Sequence, residues 1–207
     1  MPNAWLFSSA IIGYLLGALP FGYLVARAHG VDIFKVGSGN PGATNVKRVL
    51  GSKAGNTVFA LDAVKGAVAA GWPLLPFLAA PDTRMMGLVG VIAAVLGHSF
   101  SIFTKFKGGK GVATAAGGLV VLMPVSCLIG AAVWVLTFLV TRYVSLGSIL
   151  AAVAVPLASW LRGNPLPLNI VATALGLFVI IRHRENVRRL LNGTESKFVK
   201  KTAPPSA

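Results

Sequence analysis

The sequence has little charge for its length. Only 12% of its 207 residues are Asp, Glu, Lys or Arg, whereas a soluble domain usually has about 25%. Hydrophobic residues make up 55%, and the mean hydropathy is +0.76. These values exclude an ordinary soluble globular protein. They also exclude intrinsic disorder, which requires low hydrophobicity. The composition therefore predicts an integral membrane protein.

Acidic residues are especially scarce. There are five, against 19 Lys and Arg, and the formal net charge is +14. In a soluble protein this charge would suggest nucleic acid, but no nucleic-acid-binding motif accompanies it. Basic loops held against an anionic membrane surface explain the charge better. We therefore expect a lipid bilayer as partner and no nucleic acid.

Metal-binding and disulfide patterns are missing as well. The single cysteine, Cys127, excludes an intramolecular disulfide and lies in an apolar run without nearby ligands. Five scattered acids do not form an acid-rich metal cluster. We therefore expect neither a metal nor a cofactor.

Several common catalytic motifs are also absent. No His-x-x-x-x-Asp follows His29, His98 or His183, and neither Gly-x-Ser-x-Gly nor His-Glu-x-x-His occurs. The Lys-Gly-Gly-Lys-Gly sequence is not a Walker A loop, because Gly111 follows Lys110 where Ser or Thr is required. The chemistry should therefore rely on phosphate handling, without a strong side-chain base.

Six apolar stretches approach the roughly 20 residues that a membrane-spanning helix needs. They cover residues 4–26, 57–80, 85–103, 112–140, 143–161 and 165–181. No basic residue precedes the first stretch, and Arg27 follows it, which is the reverse of a cleavable signal peptide. We therefore expect a retained helix with its N-terminus outside.

The stretch 112–140 decides the topology. If it crosses once, the two sides of the membrane carry nine basic residues each. If it crosses twice, the inside carries 16 and the outside two, as the positive-inside rule requires. The sequence therefore predicts an all-α, single-domain membrane protein with seven transmembrane helices, a periplasmic N-terminus and a cytoplasmic C-terminus. The predicted spans are 4–26, 57–80, 85–103, 112–123, 125–140, 143–161 and 165–181, with a short hairpin near Pro124 and a basic tail at 182–207.

The first predicted cytoplasmic loop, residues 37–48, is rich in glycine and small polar residues. Glycines allow backbone N–H groups to approach an anion closely. Ser38, Thr44 and Asn45 add neutral donors, and Arg48 adds charge. Thr44 or Asn45 could also cap a short helix through Leu50. A flexible connecting loop is the alternative.

The second loop contains Lys107-Gly108-Gly109-Lys110-Gly111 immediately before a predicted helix. Glycine amides, two lysines and the positive end of a helix dipole together favour an anion. A basic membrane-flanking loop would explain the lysines, but it would not explain three glycines among them. We therefore favour a phosphate site.

Further polar residues lie within spans or at their predicted cytoplasmic ends. Asp62 and Lys65 share a helix face and could pair; charges within a span are costly and suggest function. The alternative is a structural ion pair. His98, Arg142 and Ser145 also lie at this side, as do His183, Asn186 and Glu195 in the tail.

These motifs resemble those of the bacterial acyl-phosphate:glycerol-3-phosphate acyltransferase family. The resemblance covers nearly the whole chain, with one departure at Ala18, where family members often have Ser. It is carried by Ser38-Gly-Asn-Pro-Gly-Ala-Thr-Asn45, Leu61-Asp62-x-x-Lys65-Gly66, Gly97-His98 through Thr114, Arg142-Tyr-x-Ser145 and His183-Arg-x-Asn186.

The resemblance implies an inner-membrane enzyme with its site facing the cytoplasm. It would transfer a fatty acyl group from acyl phosphate to the 1-hydroxyl of glycerol-3-phosphate, the first acylation step of phospholipid synthesis. The expected catalytic residues are Ser38, Arg48, Lys110, His183 and Asn186. The expected substrate-binding residues are Gly39, Asn40, Thr44, Asn45, Lys65, His98, Ser101, Lys107, Gly108, Gly109, Gly111, Thr114, Arg142, Ser145 and Glu195.

Three questions stay open at this level. The general base is either His183 or a phosphate oxygen of the substrate. A transporter for a phosphorylated metabolite would use similar basic loops, although it usually has internal repeats and a midplane site. Composition also permits a lipid-binding scaffold without catalysis.

The predicted topology can be tested by labelling single cysteines in intact and permeabilised cells, with Cys127 replaced by Ser. A cysteine at Gly193 should react only from the cytoplasmic side, and one at Asp82 only from outside. Labelling of the Gly193 position from the periplasm would refute the seven-crossing topology.

Overall fold

The computed structural model describes residues 2–78 and 82–198, and all its regular elements there are helical. Residues 79–80 of the second expected span and 199–207 of the expected tail lie outside the described residues. The α-helices are α1 (Pro2–Ala18), α2 (Phe21–Ala28), α3 (Ala43–Leu50), α4 (Ser52–Gly71), α5 (Thr83–Ser99), α6 (Val112–Leu122), α7 (Pro124–Thr141), α8 (Val144–Leu161), α9 (Leu166–Arg182) and α10 (Arg184–Leu191).

Several helical segments are long and apolar enough to cross a bilayer. Four meet this criterion individually: Asn3–Ala28, Thr83–Thr104, Pro124–Thr141 and Val144–Leu161. Helix α9 meets it when taken with α10, from which it is bent by 57°. Helix α6 is apolar but shorter. The length and composition of these helices are those of an integral membrane protein.

The first expected span, 4–26, is interrupted. Helix α1 ends at Ala18 and α2 begins at Phe21, because Pro20 lacks an N–H group and disfavours helical geometry in the residue before it. The carbonyl of Leu19 accepts a hydrogen bond of 2.9 Å from the Lys65 ammonium. The break thus provides a binding partner for a buried charge.

Two other expected spans have different ends in the structure. Helix α4 begins at Ser52, five residues before the expected start, and ends at Gly71. Two short 3₁₀ turns, Trp72–Leu74 and Pro76–Leu78, follow it, since Pro73 and Pro76 cannot continue the helix. Helix α5 ends at Ser99, and a 3₁₀ turn follows at Ile102–Thr104.

The expected cap of α3 is wrong. The residue before this helix is Gly42, and no side chain forms a capping hydrogen bond. The Asn45 side chain instead bridges the preceding loop: its Oδ1 accepts from Ser38 N–H at 2.9 Å, and its Nδ2 donates to Val36 O at 3.1 Å. Asn45 therefore stabilises the loop conformation.

Glycines allow the central helices to pack very closely. A Cβ built on Gly66 would lie 2.0 Å from the Thr114 carbonyl oxygen, and one on Gly117 would lie 1.9 Å from the Ala63 carbonyl oxygen. Helix α1 approaches α5 similarly, at Gly13 and Gly17. Small residues at such contacts are typical of helix association in membranes, where close packing replaces the hydrophobic effect.

The contacts between helices also give their directions. Gly13 of α1 faces Gly90 of α5, and Gly17 faces Ala94, so α1 and α5 are parallel. Helix α4 is antiparallel to α5, because Ala69 faces Gly90 while Asp62 faces His98.

The later helices alternate in direction. Gly147 of α8 faces Trp134 of α7, and Gly130 of α7 faces Val155 of α8; Ser159 of α8 contacts Asn169 of α9. Gly176 of α9 also faces Ala152 of α8, so α7, α8 and α9 are successively antiparallel, and the loops rich in polar residues meet at one end of the bundle.

Candidate active site

A polar cavity of about 150 Å³ lies at the end of the bundle where these loops meet. Its wall combines the loop before α3, the end of α5, the start of α6, the start of α8 and the segment after α10, residues 192–198. Twelve of the expected site residues line it: Ser38, Asn40, Thr44, Asn45, Arg48, His98, Lys110, Gly111, Ser145, His183, Asn186 and Glu195.

Glu195 connects several parts of this wall. Its Oε1 accepts hydrogen bonds of 2.7 Å from both Ser145 Oγ and Asn186 Nδ2, and its Oε2 accepts one of 2.7 Å from Arg189 Nε. Burial alone would raise the pKa of Glu195, but the hydrogen bonds from Ser145, Asn186 and Arg189 hold it below its usual value. The carboxylate is therefore charged at neutral pH and already fully engaged.

The C-terminal strap, residues 192–198, crosses this end of the bundle. The backbone N–H of Phe198 donates to the carbonyl of Arg142 at 2.9 Å. The Arg48 guanidinium donates to the carbonyl of Ser196 at 3.2 Å. Arg48 therefore reaches from α3 to the strap while lining the cavity between them.

Lys110 brings a positive charge to the opposite wall. Its ammonium donates to the Asn186 side-chain oxygen, whose amide nitrogen in turn donates to Glu195. Burial lowers the pKa of Lys110 to about 8, against the opposing effect of Glu195. Lys110 is therefore mostly protonated at neutral pH and faces the cavity as a cation.

His183 lies at the junction of α9 and α10, with 3% of its surface exposed. Its Nδ1 is 2.8 Å from the Val179 carbonyl oxygen, which can only accept, so Nδ1 carries the proton. Burial and the nearby Lys110 ammonium lower the pKa of His183 to about 4. The ring is therefore neutral at pH 7, and its Nε2 is a hydrogen-bond acceptor.

Two glycines of the second loop, Gly108 and Gly109, do not line the polar cavity, whereas Gly111 does. The N–H of Gly109 donates to the carbonyl of His98 at 3.1 Å. We expected this N–H to bind an anion, but it is not free to do so. A Cβ on Gly109 would lie 2.1 Å from His98 Nε2. Arg182 donates to the Gly109 carbonyl at 2.9 Å from the other side. These contacts hold the loop and direct the next residue, Lys110, into the cavity.

A buried charged cluster supports the same loop. Asp62 Oδ1 is 2.7 Å from Lys65 Nζ and 3.5 Å from His98 Nδ1. Lys65 is thus paired with Asp62 and with the free carbonyl of Leu19. Asp62 and His98 line both the polar cavity and an adjacent space of about 20 Å³.

Eight expected site residues do not line the polar cavity. Lys65, Ser101, Lys107, Gly108 and Gly109 border the adjacent small space, and the Ser101 hydroxyl donates to Ala18 O at 2.6 Å. The others are Gly39, which has a left-handed φ of 66°; Thr114, which is fully buried; and Arg142, whose guanidinium lies 6.0 Å from the Phe138 ring centre.

An apolar cavity of about 360 Å³ continues from the polar one between α6, α7, α8 and α9. Four residues line both: Phe59, Val112, Trp134 and Ser148. The indole N–H of Trp134 donates to the Ser148 hydroxyl at 3.2 Å, which satisfies both polar groups at the boundary. A ligand with a charged head and an apolar chain fits the combined space.

Four lining residues lie outside the sequence motifs and were missed: Phe59, Trp134, Ser148 and Arg189. Ser148 follows Ser145 by three residues on one helix face, so its position could have been inferred. Arg189 lies among other basic residues and looks like a membrane anchor. Nothing local distinguishes Phe59 or Trp134 from lipid-facing aromatics.

The cavity is suited to a phosphorylated ligand. Arg48, Lys110 and Arg189 supply three cations, while Glu195 is already hydrogen-bonded and Asp62 is paired. Asn40, Thr44 and Ser38 add neutral polar groups. Within residues 2–78 and 82–198, His, Cys, Asp and Glu side chains form no group of three that could hold a metal.

Comparison with known proteins gives consistent matches over nearly the whole chain. The family model for glycerol-3-phosphate acyltransferase matches residues 7–193. The glycerol-3-phosphate acyltransferase of Aquifex aeolicus is 45% identical over 188 residues, which are 91% of this chain and 96% of that protein. The one from Brucella canis is 43% identical over 196 residues, 94% of each chain.

Solved structures agree with the sequence relatives. The crystal structure of PlsY, an integral membrane glycerol-3-phosphate acyltransferase, in its glycerol-3-phosphate form matches with a TM-score of 0.86 and 42% identity, covering 94% of this chain and 96% of that one. Its lysophosphatidic acid form matches with a TM-score of 0.84, covering 94% and 95%.

The family model covers every residue that lines the polar cavity except Glu195. The all-helical chain is an integral membrane protein, and it belongs to the glycerol-3-phosphate acyltransferase family.

Proposed function

We propose that the chain transfers an acyl group from an acyl phosphate to the 1-hydroxyl of sn-glycerol-3-phosphate, giving 1-acylglycerol-3-phosphate and inorganic phosphate. The observation that carries this proposal is the polar cavity with Arg48, Lys110 and Arg189 on its wall, opening directly into an apolar cavity between helices. The phosphate groups of the acceptor and the donor need the polar cavity, and the acyl chain of the donor needs the apolar cavity beside it.

The residues divide by substrate. We assign Ser38, Arg48, His183 and Asn186 to glycerol-3-phosphate, in agreement with the family resemblance. Lys110 would neutralise the phosphate of the donor. Because an acyl phosphate already has a good leaving group, positioning and charge stabilisation supply most of the catalysis. The hydroxyl attacks the acyl carbon, the bond to phosphate oxygen breaks, and the hydroxyl proton leaves with a base.

The base is a phosphate oxygen of a substrate in this proposal. A histidine whose pKa is about 4 accepts a proton poorly at pH 7, whereas a phosphate monoester has its second ionisation near pH 6. The neutral Nε2 of His183 would accept the hydrogen bond of a glycerol hydroxyl and orient it. His183 is then a binding residue, and the proton goes to phosphate.

The acyl chain would occupy the apolar cavity. All but one of its lining side chains are apolar or glycine. The acyl carbonyl would lie at the boundary formed by Phe59, Trp134 and Ser148, within reach of the polar cavity. The product would leave laterally into the bilayer, where its chain is soluble.

The proposal includes seven crossings in the bacterial inner membrane, with the active site facing the cytoplasm. The alternation of helix directions and the 16-to-2 distribution of basic residues support it. Helix α6 has 11 residues, about 16 Å at 1.5 Å per residue, so its neighbours must shield it or the bilayer must thin.

The activity is tested with purified protein in detergent. Palmitoyl phosphate together with glycerol-3-phosphate should release inorganic phosphate and form 1-acylglycerol-3-phosphate, and omission of either substrate should prevent product formation. Palmitoyl-CoA in place of palmitoyl phosphate should give no product. A transporter or a non-catalytic scaffold would give none with any donor.

The loop around Lys110 should be essential to turnover. Lys110→Ala removes the cation and leaves the side-chain oxygen of Asn186 without its donor, and Gly109→Ala forces a methyl group into the His98 ring. Each change should reduce kcat/KM by at least tenfold, about 1.4 kcal/mol in the barrier. Lys105→Ala is the matched control, because it removes an exposed lysine of the same loop. Normal activity in both test variants would reduce the loop to a membrane-flanking role.

The role of His183 should be visible in the split between KM and kcat. His183→Ala should mainly raise the KM for glycerol-3-phosphate, and the acidic limb near pH 6 should persist, because the limb belongs to the substrate phosphate. The measurement is turnover of the variant at saturating glycerol-3-phosphate across pH 5–8. A loss of 10²–10⁴-fold in kcat together with a vanished limb would identify His183 as the base instead.

A further inference from the structure

The apolar cavity has a measurable depth. On α7 its wall runs from Trp134, where it meets the polar cavity, to Cys127. Seven residues of α-helix advance about 10 Å. On α6 the corresponding wall runs from Val112 to Leu119, which is again about 10 Å. Facing helices therefore give the same depth.

Polar side chains lie beyond the far end of the cavity. Just beyond Cys127, the side chains of Ser126, Ser159, Asn164 and Asn169 form a hydrogen-bonded cluster. Asn164 donates to Ser126 Oγ at 3.3 Å and to Ser159 Oγ at 3.1 Å, and Ser159 donates to Asn169 Oδ1 at 2.6 Å. An alkyl chain that entered this cluster would leave buried polar groups without partners, which costs about 1–3 kcal/mol each.

The cavity exists because small side chains line it at its middle and deep levels. On α7 these are Cys127, Gly130 and Ala131, and on α6 they include Ala116. The Cys127 thiol lies 3.5 Å from the Ala116 carbonyl, so the two helices converge there. Larger side chains at these positions would fill the space from the bottom upward.

We infer that Ala131 and the Cys127–Ala116 floor set how many carbons of the donor's acyl chain lie straight between the helices. This inference rests on the proposed function and adds its chain-length specificity. Bonds of about 1.5 Å in a zigzag chain advance roughly 1.25 Å per carbon, so a depth of about 10 Å holds roughly eight carbons.

Selection among acyl chains of different length depends on the shape of the cavity and only weakly on hydrophobic burial. A lipid-borne chain is already in an apolar environment, so burial between helices brings little hydrophobic gain. Longer chains must bend sideways past Val135, which is 46% exposed at the cavity wall. A larger side chain at the floor would force the acyl chain to bend closer to the polar cavity, where less of the opening beside Val135 is available.

The test compares kcat/KM for phosphate release from acyl phosphates of 4, 8, 12 and 16 carbons with glycerol-3-phosphate in detergent. Cys127→Phe should lower the 12- and 16-carbon values at least about fivefold relative to the 4-carbon value. Ala116 lies only about 6 Å below Val112, so Ala116→Phe should lower the 8-carbon value in addition to the 12- and 16-carbon values. Ala131→Phe lies about 6 Å nearer the polar cavity than Cys127 and should lower the 8-carbon value as well.

Val120→Phe is the matched control for Ala116→Phe. Val120 lies one turn further along α6, is 42% exposed and does not line the cavity, so its chain-length profile should match the wild type. Folding of every variant is checked by thermal unfolding and gel filtration.

The outcomes separate cleanly. If Cys127→Phe and Ala116→Phe lower all chain lengths equally, or leave the profile unchanged, the floor does not measure the chain and the inference is overturned, while the proposed function stands. If the wild-type protein releases no phosphate from any acyl phosphate, the proposed function fails and this inference fails with it.

Discussion

The polar end of the molecule depends on the carboxylate of Glu195. It accepts hydrogen bonds from α8 through Ser145 and from α10 through Asn186 and Arg189. Asn186 also accepts a hydrogen bond from Lys110, which lies in the loop directly before α6. One anion thus fixes the relative positions of three helices and of the cation that faces the cavity.

The same carboxylate lowers the positive charge of the cavity but does not neutralise it. Arg48, Lys110 and Arg189 would repel one another in an empty site, and Glu195 reduces that repulsion. Because its two oxygens already accept from Ser145, Asn186 and Arg189, it leaves the other N–H groups of the cavity available to a phosphate. The cavity wall therefore keeps a net positive charge, which favours a phosphate ligand.

Much of the architecture could be predicted from composition and charge, since apolar stretches and the distribution of Lys and Arg report directly on the membrane. The ends of the helices were harder to predict from the sequence. At the break before Pro20, the free carbonyl of Leu19 accepts a hydrogen bond from a tertiary partner, Lys65, which the local sequence does not reveal. The family could be identified from its motifs, and the sequence, the family model and the solved structures agree.

Individual roles within the motifs could not be separated by sequence alone. Gly109 and Lys110 are adjacent and of equal apparent importance, yet Gly109 packs on His98 while Lys110 enters the cavity. Trp134 and Phe59 come from distant apolar runs, and only the folded bundle brings them to the cavity. A motif predicts that a loop matters, whereas packing decides which atoms face a ligand.

The boundary between the two cavities explains why an activated donor suits this protein. The boundary residues Phe59, Val112 and Trp134 are apolar, and Ser148 is occupied by its contact with Trp134. Nothing at the boundary offers a strong base, and the nearby His183 is held neutral with a pKa of about 4. In the proposed reaction, a thioester or oxygen ester would need help with its leaving group there, whereas an acyl phosphate would bring its own good leaving group into a cavity lined by Arg48, Lys110 and Arg189. The arrangement of cations on one side and small apolar residues on the other therefore supplies orientation and charge, and the substrates themselves supply the reactivity.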